Sequence, residues 1–137
     1  MIVADTNVWS ETLRARPDER VLAWLADLES ELALTSVTVA ELIYGALRLD
    51  RGRRRTGLLA AIEQLVSAAA DRVICFDEGA ARAFGSLRAE RERRGRPGSV
   101  EDLMIGAICV ARGVPLATRN VRDFEGLGVQ VIDPWVA

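Results

Sequence analysis

The chain opens with MIVADTNVWSE, residues 1–11. The apolar run Ile2, Val3 and Ala4 is typical of a buried β-strand, and it leads directly into Asp5 and two further polar residues. A turn after a strand needs only one polar residue, and glycine or proline would serve equally well. The carboxylate at the end of this strand is therefore a candidate functional group, provided that other carboxylates of the chain converge on it.

The rest of the chain alternates between short apolar stretches and amphipathic ones. Strand candidates lie at 31–39, at 73–76, within PLATRN (115–120) and within VQVID (129–133). Helix candidates lie at 18–29, 41–50, 56–69, 78–94 and 101–113. Such alternation favours an α/β sandwich around a mainly parallel sheet. We predict one domain over residues 1–137, with its site outside the carboxyl ends of the strands.

The composition restricts the available chemistry. The 137 residues include no histidine, and all 18 basic residues are arginine, against 20 acidic residues. The absence of histidine and lysine excludes serine–histidine triads, histidine general bases, Walker-type phosphate loops and Schiff-base chemistry. By elimination, carboxylates with a hard cation such as Mg²⁺ become the leading option for catalysis.

Several features predict a cytoplasmic protein with no membrane association. No apolar run approaches the roughly 18 to 20 residues that a membrane-spanning helix needs. The N-terminus lacks the basic-then-apolar layout of a signal peptide, because Asp5 interrupts the apolar run. Cys75 and Cys109 each have apolar neighbours and lie far apart in the sequence, so we expect two reduced core cysteines.

Four carboxylates lie at the predicted ends of elements. Asp5 ends the first strand, Glu41 follows the second strand and starts a helix, Asp102 starts the helix after GRPGS, and Asp123 lies in the loop after PLATRN. Two like charges about 4 Å apart repel by around 4 kcal/mol at an effective dielectric of 20, so a cluster of these acids needs a proton or a cation. Bound Mg²⁺ polarises a phosphodiester and activates water. The four acids therefore predict metal-dependent phosphodiester hydrolysis.

The same acids also have structural interpretations. Thr38 and Glu41 have the spacing of a capping box, and Ser99 and Asp102 have a similar one. Acids in a first helical turn are favoured by the helix dipole, and the last of the four would serve equally as a solvated loop residue. Asp5 has no evident capping role, which makes it the strongest functional candidate.

Four segments resemble the ordered motifs of PIN-domain proteins, and specifically those of VapC-type ribonuclease toxins. They are DTNVWSE (5–11), TVAELIYG (38–45), EDLMIGAI (101–108) and LATRNVRDF (116–124). The resemblance covers essentially the whole chain, including the closing VIDPW. It implies a small PIN-like α/β/α sandwich with a central parallel sheet, and RNA cleavage that depends on Mg²⁺ or Mn²⁺. It also implies a cognate antitoxin, which would bind in a hydrophobic groove, and a homodimer formed by the early helices, with a larger toxin–antitoxin assembly left open.

The resemblance assigns roles to the first three acids. The family's first acid falls on Asp5, its second on Glu41 within AEL-x-x-G, and its third on Asp102 before the helix LMIGAI. By analogy, Asp5 and Asp102 bind the metal directly. Glu41 and the fourth acid then orient waters or hold a second ion.

The fourth acid has three candidates. Some family members carry an acid directly after the Thr-Arg pair, where this chain has Asn120, and Asp123 in N-x-x-D-F is the main alternative. Glu101 is a further substitute. The side chains expected to support the site or contact phosphate are those of Thr6, Asn7, Thr118 and Asn120.

Two arginine-rich segments suit RNA despite the formal net charge of −2. RLDRGRRR (48–55) carries five arginines against one aspartate, and RAERERRGR (88–96) carries five against two glutamates. The planar guanidinium suits bidentate contact to phosphate. The alternative for 88–96 is a solvated helix face with Glu–Arg pairs, whereas 48–55 has fewer compensating acids. Either segment would also serve to receive the antitoxin. Core packing is the default for four apolar residues that would otherwise serve the dimer or the antitoxin groove, namely Trp9, Trp24, Tyr44 and Leu47.

Three functions remain open at this point. The first is a metal-dependent endoribonuclease toxin, neutralised by a cognate antitoxin. The second is a Mg²⁺-dependent phosphatase of small molecules, although the absence of D-x-D-x-T counts against one large group. The third is a non-catalytic RNA- or protein-binding module in which the acids only cap helices. RNA cleavage that requires metal distinguishes the first from the other two.

Overall fold

A computed structural model of the chain describes all residues, 1–137, and contains five β-strands and six α-helices. The strands are β1 (Ile2–Ala4), β2 (Leu32–Thr35), β3 (Val73–Ile74), β4 (Leu116–Ala117) and β5 (Val131–Ile132). The helices are α1 (Thr6–Glu11), α2 (Glu19–Asp27), α3 (Ser36–Leu47), α4 (Arg53–Ala68), α5 (Glu78–Arg93) and α6 (Val100–Arg112). Short 3₁₀ segments lie at Glu29–Glu31, Ala70–Arg72 and Val121–Phe124. None of the helices combines the length and apolar character that a membrane span requires.

The strands form one sheet in the order β3-β2-β1-β4-β5, and every neighbouring pair is parallel. The predicted parallel sheet is therefore confirmed. The chain winds from β1 through β2 to β3 on one side, whereas β4 and β5 lie on the other side, so the direction of winding reverses between β1 and β4. In open parallel sheets, ligand sites form at such a reversal, outside the carboxyl ends of the strands. Asp5 follows the last residue of β1 and lies at this point.

Two apolar cores cover the two faces of the sheet, which confirms the α/β/α sandwich. Alternate residues of the pleated strands enter opposite cores, since Leu32 and Leu34 lie in one and Ala33 in the other. The first core is lined by apolar side chains of α1, α2, α3 and α4. The second is lined by α5 and α6, together with Val37 of α3.

The second strand is shorter than predicted, because α3 begins at Ser36 rather than at Glu41. The Thr35 hydroxyl accepts a hydrogen bond from the backbone N–H of Thr38 at 3.1 Å and caps the helix. The β-branched residues of TSVTV favour a strand, but threonine and serine are also strong helix caps, and here the cap prevails. The capping box predicted for Thr38 and Glu41 is therefore wrong, since Glu41 lies in the second turn of the helix.

The other predicted helices begin and end close to the predicted positions, whereas α1 (Thr6–Glu11) was not predicted. Asp77 caps α5 by accepting from the backbone N–H of Ala80 at 2.9 Å. The Ser99 hydroxyl caps α6 by accepting from the backbone N–H of Asp102 at 3.1 Å. Gly113 ends α6 in the left-handed conformation, with φ of +65°, which glycine adopts without strain.

The two cysteines are both free, as predicted, but their environments differ. Cys109 is buried in α6, and this burial raises the pKa of its thiol to about 12. Cys75 is exposed, so the prediction of a core position for it was wrong. Strand β3 ends at Ile74 and leaves Cys75 in the irregular segment before α5.

Candidate active site

Asp5 lies at the centre of the site and is only 3% exposed. Its backbone N–H donates to the carbonyl of Ala117 at 2.8 Å, which continues the pairing of β1 with β4. One carboxylate oxygen accepts from the backbone N–H of Thr6 at 2.7 Å, and the other accepts from the Thr118 hydroxyl at 2.8 Å. Asp5 therefore also caps α1, a role that the sequence analysis did not predict.

Thr118 ties Asp5 to two further segments of the expected site. Its buried hydroxyl donates to Asp5 and accepts from the Asn7 side-chain amide at 3.3 Å and from the backbone N–H of Asn120 at 3.1 Å. Asn7 and Thr118, two of the side chains predicted to support the site, thus belong to one connected hydrogen-bond network. Asn120 contributes its backbone N–H, whereas its side chain is exposed.

Glu41 reaches the site from α3 and is fixed by hydroxyl groups. Thr6 donates to Glu41 Oε1 at 2.6 Å. Because the Thr6 hydroxyl has a single proton, Thr38, whose oxygen lies 2.9 Å away, donates to Thr6, and Thr35 in turn donates to Thr38 at 3.4 Å. This hydroxyl chain, from Thr35 through Thr38 and Thr6 to Glu41, points in one direction and orients the carboxylate.

Asp102 enters from the first turn of α6 and is half-buried. Burial raises the pKa of its carboxyl group, against the hydrogen bond with Ser99, and the charges of Asp123 and Glu101 raise that pKa further. Asp102 therefore lies within the electrostatic reach of two further acids, Asp123 and Glu101.

Burial and neighbouring acidic charges raise the pKa values of the three inner acids, Asp5, Glu41 and Asp102. Burial is the main cause of the rise in the pKa of Asp5 from 3.8 to about 6, and the charges of Asp102 and Glu41 contribute. Burial also raises the pKa of Glu41, again with Asp102 and Glu101 contributing. None of these carboxylates forms an ion pair with an arginine. An acidic cluster without basic partners favours a bound cation or proton.

The acids do not form a complete metal-binding shell of their own. No three side chains among the histidine, cysteine, aspartate and glutamate residues are arranged to hold one ion. The donor set nevertheless fits Mg²⁺, because it consists of carboxylate and hydroxyl oxygens, and because Mg²⁺ usually keeps waters and takes only one or two protein carboxylates. Asp5 is buried and both Glu41 and Asp102 are half-buried, so these three carboxylates are partly or fully withdrawn from solvent.

The candidates for the fourth acid lie at the edge of the cluster. Asp123 is exposed in the 3₁₀ segment Val121–Phe124, and its charge acts on Asp102. Glu101 is exposed in the first turn of α6, and its charge acts on both Asp102 and Glu41. Glu101 on α6 and Asp123 in the 3₁₀ segment after β4 thus both act on Asp102, and neither is buried.

Two depressions lie beside the acidic cluster. The first, the polar cleft, has a volume of about 500 Å³ and is formed mainly by residues 95–99 with Asp102, Asp123 and Arg91. The second, the apolar pocket, has a volume of about 390 Å³ and includes Glu41. It is lined by Ser36, Val37, Ala40, Glu41, Tyr44, Phe76, Glu101 and Met104.

The arginine-rich segment 88–96 mostly forms internal contacts. Three of its arginines pair with glutamates of the same helix, in the pairs Arg88–Glu92, Arg93–Glu90 and Arg94–Glu90. The Arg91 side chain donates to the backbone carbonyls of Asp123 and Glu125 at 2.9 and 3.1 Å. The exception is Arg96, which lines the polar cleft and whose side chain has no hydrogen-bond or ion-pair partner.

The segment 48–55 forms no ion pairs and remains available to a partner. Arg53 and Arg54 line a surface depression of about 900 Å³, together with Arg14 and Arg16. This arginine-lined depression contains none of the site acids.

Of the four apolar residues for which core packing was the default, two pack in the core and two are exposed. Trp9 is buried and Trp24 packs against the first core, so core packing is confirmed for both. Tyr44 is 65% exposed and Leu47 is 46% exposed, so the core interpretation is wrong for these two. Both lie on α3, away from Leu42 and Ala46, whose side chains are buried in the first core.

Comparisons with known proteins identify relatives over nearly the whole length. The PIN domain family matches residues 2–128. A VapC ribonuclease, Y4jK, of Sinorhizobium fredii is 41% identical over 137 residues, which cover 98% of each chain. The toxin FitB of Neisseria gonorrhoeae is 36% identical over 98% of this chain and 99% of its own. A tRNA(fMet)-specific endonuclease VapC of Shigella flexneri is 35% identical over 96% of this chain and 95% of its own.

Solved structures show the same architecture. FitAcB from Neisseria gonorrhoeae matches with a TM-score of 0.91 and 35% identity over 100% of both chains. A member of the VapBC family of toxin–antitoxin systems, from Mycobacterium tuberculosis, matches with a TM-score of 0.68 and 29% identity over 95% of both chains. The motifs, the parallel sheet and these relatives agree: the chain belongs to the PIN-domain family, among its VapC-type members.

Proposed function

We propose that the protein is a metal-dependent endoribonuclease and the toxin of a toxin–antitoxin pair. Relatives named as a VapC ribonuclease, a toxin and a tRNA(fMet)-specific endonuclease support the nuclease and toxin assignments. The observation that carries the proposal is the buried Asp5 carboxylate at the reversal of the sheet, coupled to Glu41 and Asp102 and without a basic partner.

Asp5 and Asp102 would hold Mg²⁺ or Mn²⁺. Asp5 is fixed by two hydrogen bonds, and its pKa is raised by burial and by the charges of Asp102 and Glu41. A cation bound there supplies charge stabilisation to the phosphodiester and lowers the pKa of water. The groups that would bind the ion are carboxylate oxygens, which is the ligand type that Mg²⁺ and Mn²⁺ prefer.

Glu41 accepts a proton from the attacking water in this proposal. The hydroxyl chain holds one carboxylate oxygen, Oε1, through Thr6, so the second oxygen, Oε2, is the acceptor. A raised pKa brings a carboxylate closer to the operating pH, which improves a general base. Asp123 at the edge of the cluster orients water on the Asp102 side.

Arg96 contacts a phosphate next to the scissile one. It lines the polar cleft with Asp102 and Asp123, and its guanidinium has no partner within the protein. An arginine in that position compensates for the acidic edge and binds phosphate in the bidentate manner that its geometry favours.

The proposal extends to a homodimer that acts on RNA in the cytoplasm and is neutralised by a cognate antitoxin. The similarity to a VapBC toxin–antitoxin system supports the antitoxin partner. The arginine-lined depression offers a surface for an acidic segment of that partner. Sedimentation velocity of the purified protein tests the dimer.

Cleavage of total RNA by the purified protein, with Mg²⁺, Mn²⁺ or EDTA, tests the nuclease. The Asp5→Asn variant is the test variant, and Asp27→Asn, on the exposed end of α2, is the matched control. We expect discrete fragments that require metal, persist in the control and disappear in Asp5→Asn.

Equal behaviour of the wild type and Asp5→Asn under every metal condition contradicts the proposal and favours the binding module. Release of phosphate from p-nitrophenyl phosphate, without RNA cleavage, identifies a phosphatase instead.

A further inference from the structure

The apolar pocket lies directly beside the acidic cluster, because Glu41 belongs to both. Its volume of about 390 Å³ falls within the range of small-ligand sites, about 300–1,000 Å³. Most of its wall comes from α3, and the rest comes from the segment after β3 and from the first turns of α6. A group bound in the pocket would therefore lie next to any phosphodiester held by the acids.

Two aromatic rings form preorganised walls of the pocket. The Phe76 ring packs edge to face on Phe84 of α5, with 5.9 Å between the ring centroids, so its position is fixed from behind. The Tyr44 ring is 65% exposed, and the Arg48 guanidinium lies 5.7 Å from its centroid in a cation–π contact. A largely exposed aromatic ring beside an apolar pocket provides a surface on which a planar ligand stacks.

The charged groups of the pocket are acceptors only. Glu41 presents the carboxylate oxygen that Thr6 does not occupy, and Glu101 presents a carboxylate without an ion-pair partner. No arginine lines the pocket, whereas Arg91 and Arg96 line the polar cleft. Arg48 contacts the Tyr44 ring but does not line the pocket, so the two carboxylates disfavour phosphate within it. They favour a flat, uncharged ligand that donates hydrogen bonds.

We propose that the apolar pocket binds one unpaired nucleobase of the substrate, next to the scissile phosphate. The inference rests on the proposed ribonuclease function. The base stacks on Tyr44 and donates hydrogen bonds to Glu101. Amino-bearing bases suit the carboxylate, and guanine suits it best, because its N1–H and N2–H₂ donors are adjacent on one edge; uracil suits it least. The substrate at this position is a single strand or a loop, because a base within a helix does not reach a pocket.

Oligoribonucleotides that span a cleavage site mapped in total RNA test the pocket. An abasic ribose replaces each nucleotide in turn, and cleavage is measured for the wild type, Tyr44→Ala and Tyr44→Phe. In the wild type, we expect one position beside the scissile bond at which the abasic substitution raises KM about tenfold, on the scale of base–aromatic stacking. Tyr44→Ala shows the same loss on intact RNA and no further loss on the abasic RNA, and Tyr44→Phe stays within about twofold of the wild type.

The same oligoribonucleotides, carrying a fluorescent label, are also bound to Asp5→Asn protein, which provides a readout without catalysis. The Tyr44→Ala substitution in this background removes the affinity difference between intact and abasic RNA. Glu101→Gln reduces the preference for guanine over uracil at the position identified. Tyr44 and Glu101 are both exposed, so these variants keep the fold, which circular dichroism checks.

If the abasic substitution reduces cleavage by the same factor in the wild type and in Tyr44→Ala, the two losses are independent. This result overturns the base pocket, while the ribonuclease remains established. A change from dimer to monomer in Tyr44→Ala, with an unchanged abasic effect, also overturns it and makes this face a contact between copies of the chain. Absence of RNA cleavage by the wild type under every metal condition overturns the proposed function and the base pocket together.

Discussion

The Thr118 hydroxyl donates to the Asp5 carboxylate over 2.8 Å and joins the carboxyl ends of β1 and β4, where the winding of the sheet reverses. The same hydroxyl oxygen accepts from Asn7 and from the backbone of Asn120. A single buried group therefore connects the first strand and its helix to the loop after β4, although these segments lie more than a hundred positions apart in the sequence.

Thr118→Val removes this hydroxyl and keeps the shape of the side chain. We expect a loss of about 2–3 kcal/mol in the free energy of unfolding, because a buried carboxylate oxygen and two donors lose their partner. Urea denaturation measures the loss. Thr56→Val, at an exposed position of α4, is the control with the same chemical change. A loss below about 0.5 kcal/mol for Thr118→Val would contradict the role given to this bond.

Asp5→Asn is expected to stabilise the metal-free protein at pH 8. The pKa of Asp5 is raised to about 6, so the folded state holds this proton more tightly than the unfolded chain does. The charged carboxylate therefore destabilises the fold progressively as the pH rises from about 4 to 6, by up to about 3 kcal/mol. The neutral amide removes this penalty but loses part of the bond with Thr118, so we expect a net gain of about 1 kcal/mol.

Thermal unfolding in EDTA at pH 8 and at pH 4 measures this difference. The advantage of Asp5→Asn shrinks at pH 4, where the native carboxyl group is protonated. A lower melting temperature for Asp5→Asn at pH 8 would show that burial does not strain the carboxylate.

Mg²⁺ is expected to raise the melting temperature of the wild type but not that of Asp5→Asn or Asp102→Asn. A ligand at 100 times its dissociation constant stabilises the native state by about 2.7 kcal/mol. Asp123→Asn retains most of the effect, because Asp123 is exposed at the edge of the cluster. Thermal shift titrations with Mg²⁺ and Mn²⁺ provide the measurement, and Asp27→Asn is the control. Equal shifts in all variants would assign the ion to another site.

Thr6 is expected to position Glu41 rather than to react. Thr6→Val removes the donor to Glu41 Oε1, and we expect kcat for RNA cleavage to fall about tenfold with little change in KM, which corresponds to the loss of one hydrogen bond to a charged group. Thr6→Ser keeps the hydroxyl and restores kcat. If Thr6→Ser is as impaired as Thr6→Val, the role belongs to the methyl group and its packing.

Arg96 is expected to contribute one phosphate contact. Arg96→Ala raises KM and reduces the slope of log affinity against log salt concentration by about one, whereas the loss is uniform across RNA sequences. Arg88→Ala is the matched control, because Arg88 carries the same charge but pairs with Glu92 on α5. Fluorescence anisotropy across a salt series measures both slopes. Equal slopes in the two variants would remove Arg96 from the binding surface.

The alternation of apolar and amphipathic stretches predicts the sandwich, because local periodicity is a property of the sequence itself. The absence of lysine and histidine can also be read from the sequence, and it restricts the possible chemistry. The start of α3 is missed, because the β-branched residues of 35–39 favour a strand, whereas Thr35 is also a good helix cap, and tertiary packing decides between the two. Asp5 is selected for its place after a strand, yet its role as the cap of α1 depends on the turn that follows.

The supporting contacts lie beyond the reach of the sequence. The hydroxyl chain to Glu41 joins a residue of α1 to residues at the start of α3, and no spacing indicates that these segments meet. The apolar pocket is also missed, although one signal exists. Tyr44 is three positions after Glu41, and residues at this spacing share a face of a helix once the helix is correctly placed.

Asp5, Glu41 and Asp102 have no arginine partners, so the carboxyl edge of the sheet carries negative charge that no basic side chain neutralises. Without a cation, the negative charge at this edge repels the backbone of a polyanion. In the proposed mechanism, the scissile phosphate therefore reaches this edge only with the ion or after it. The supply of divalent ions would then set the activity of the protein, independently of any inhibitor.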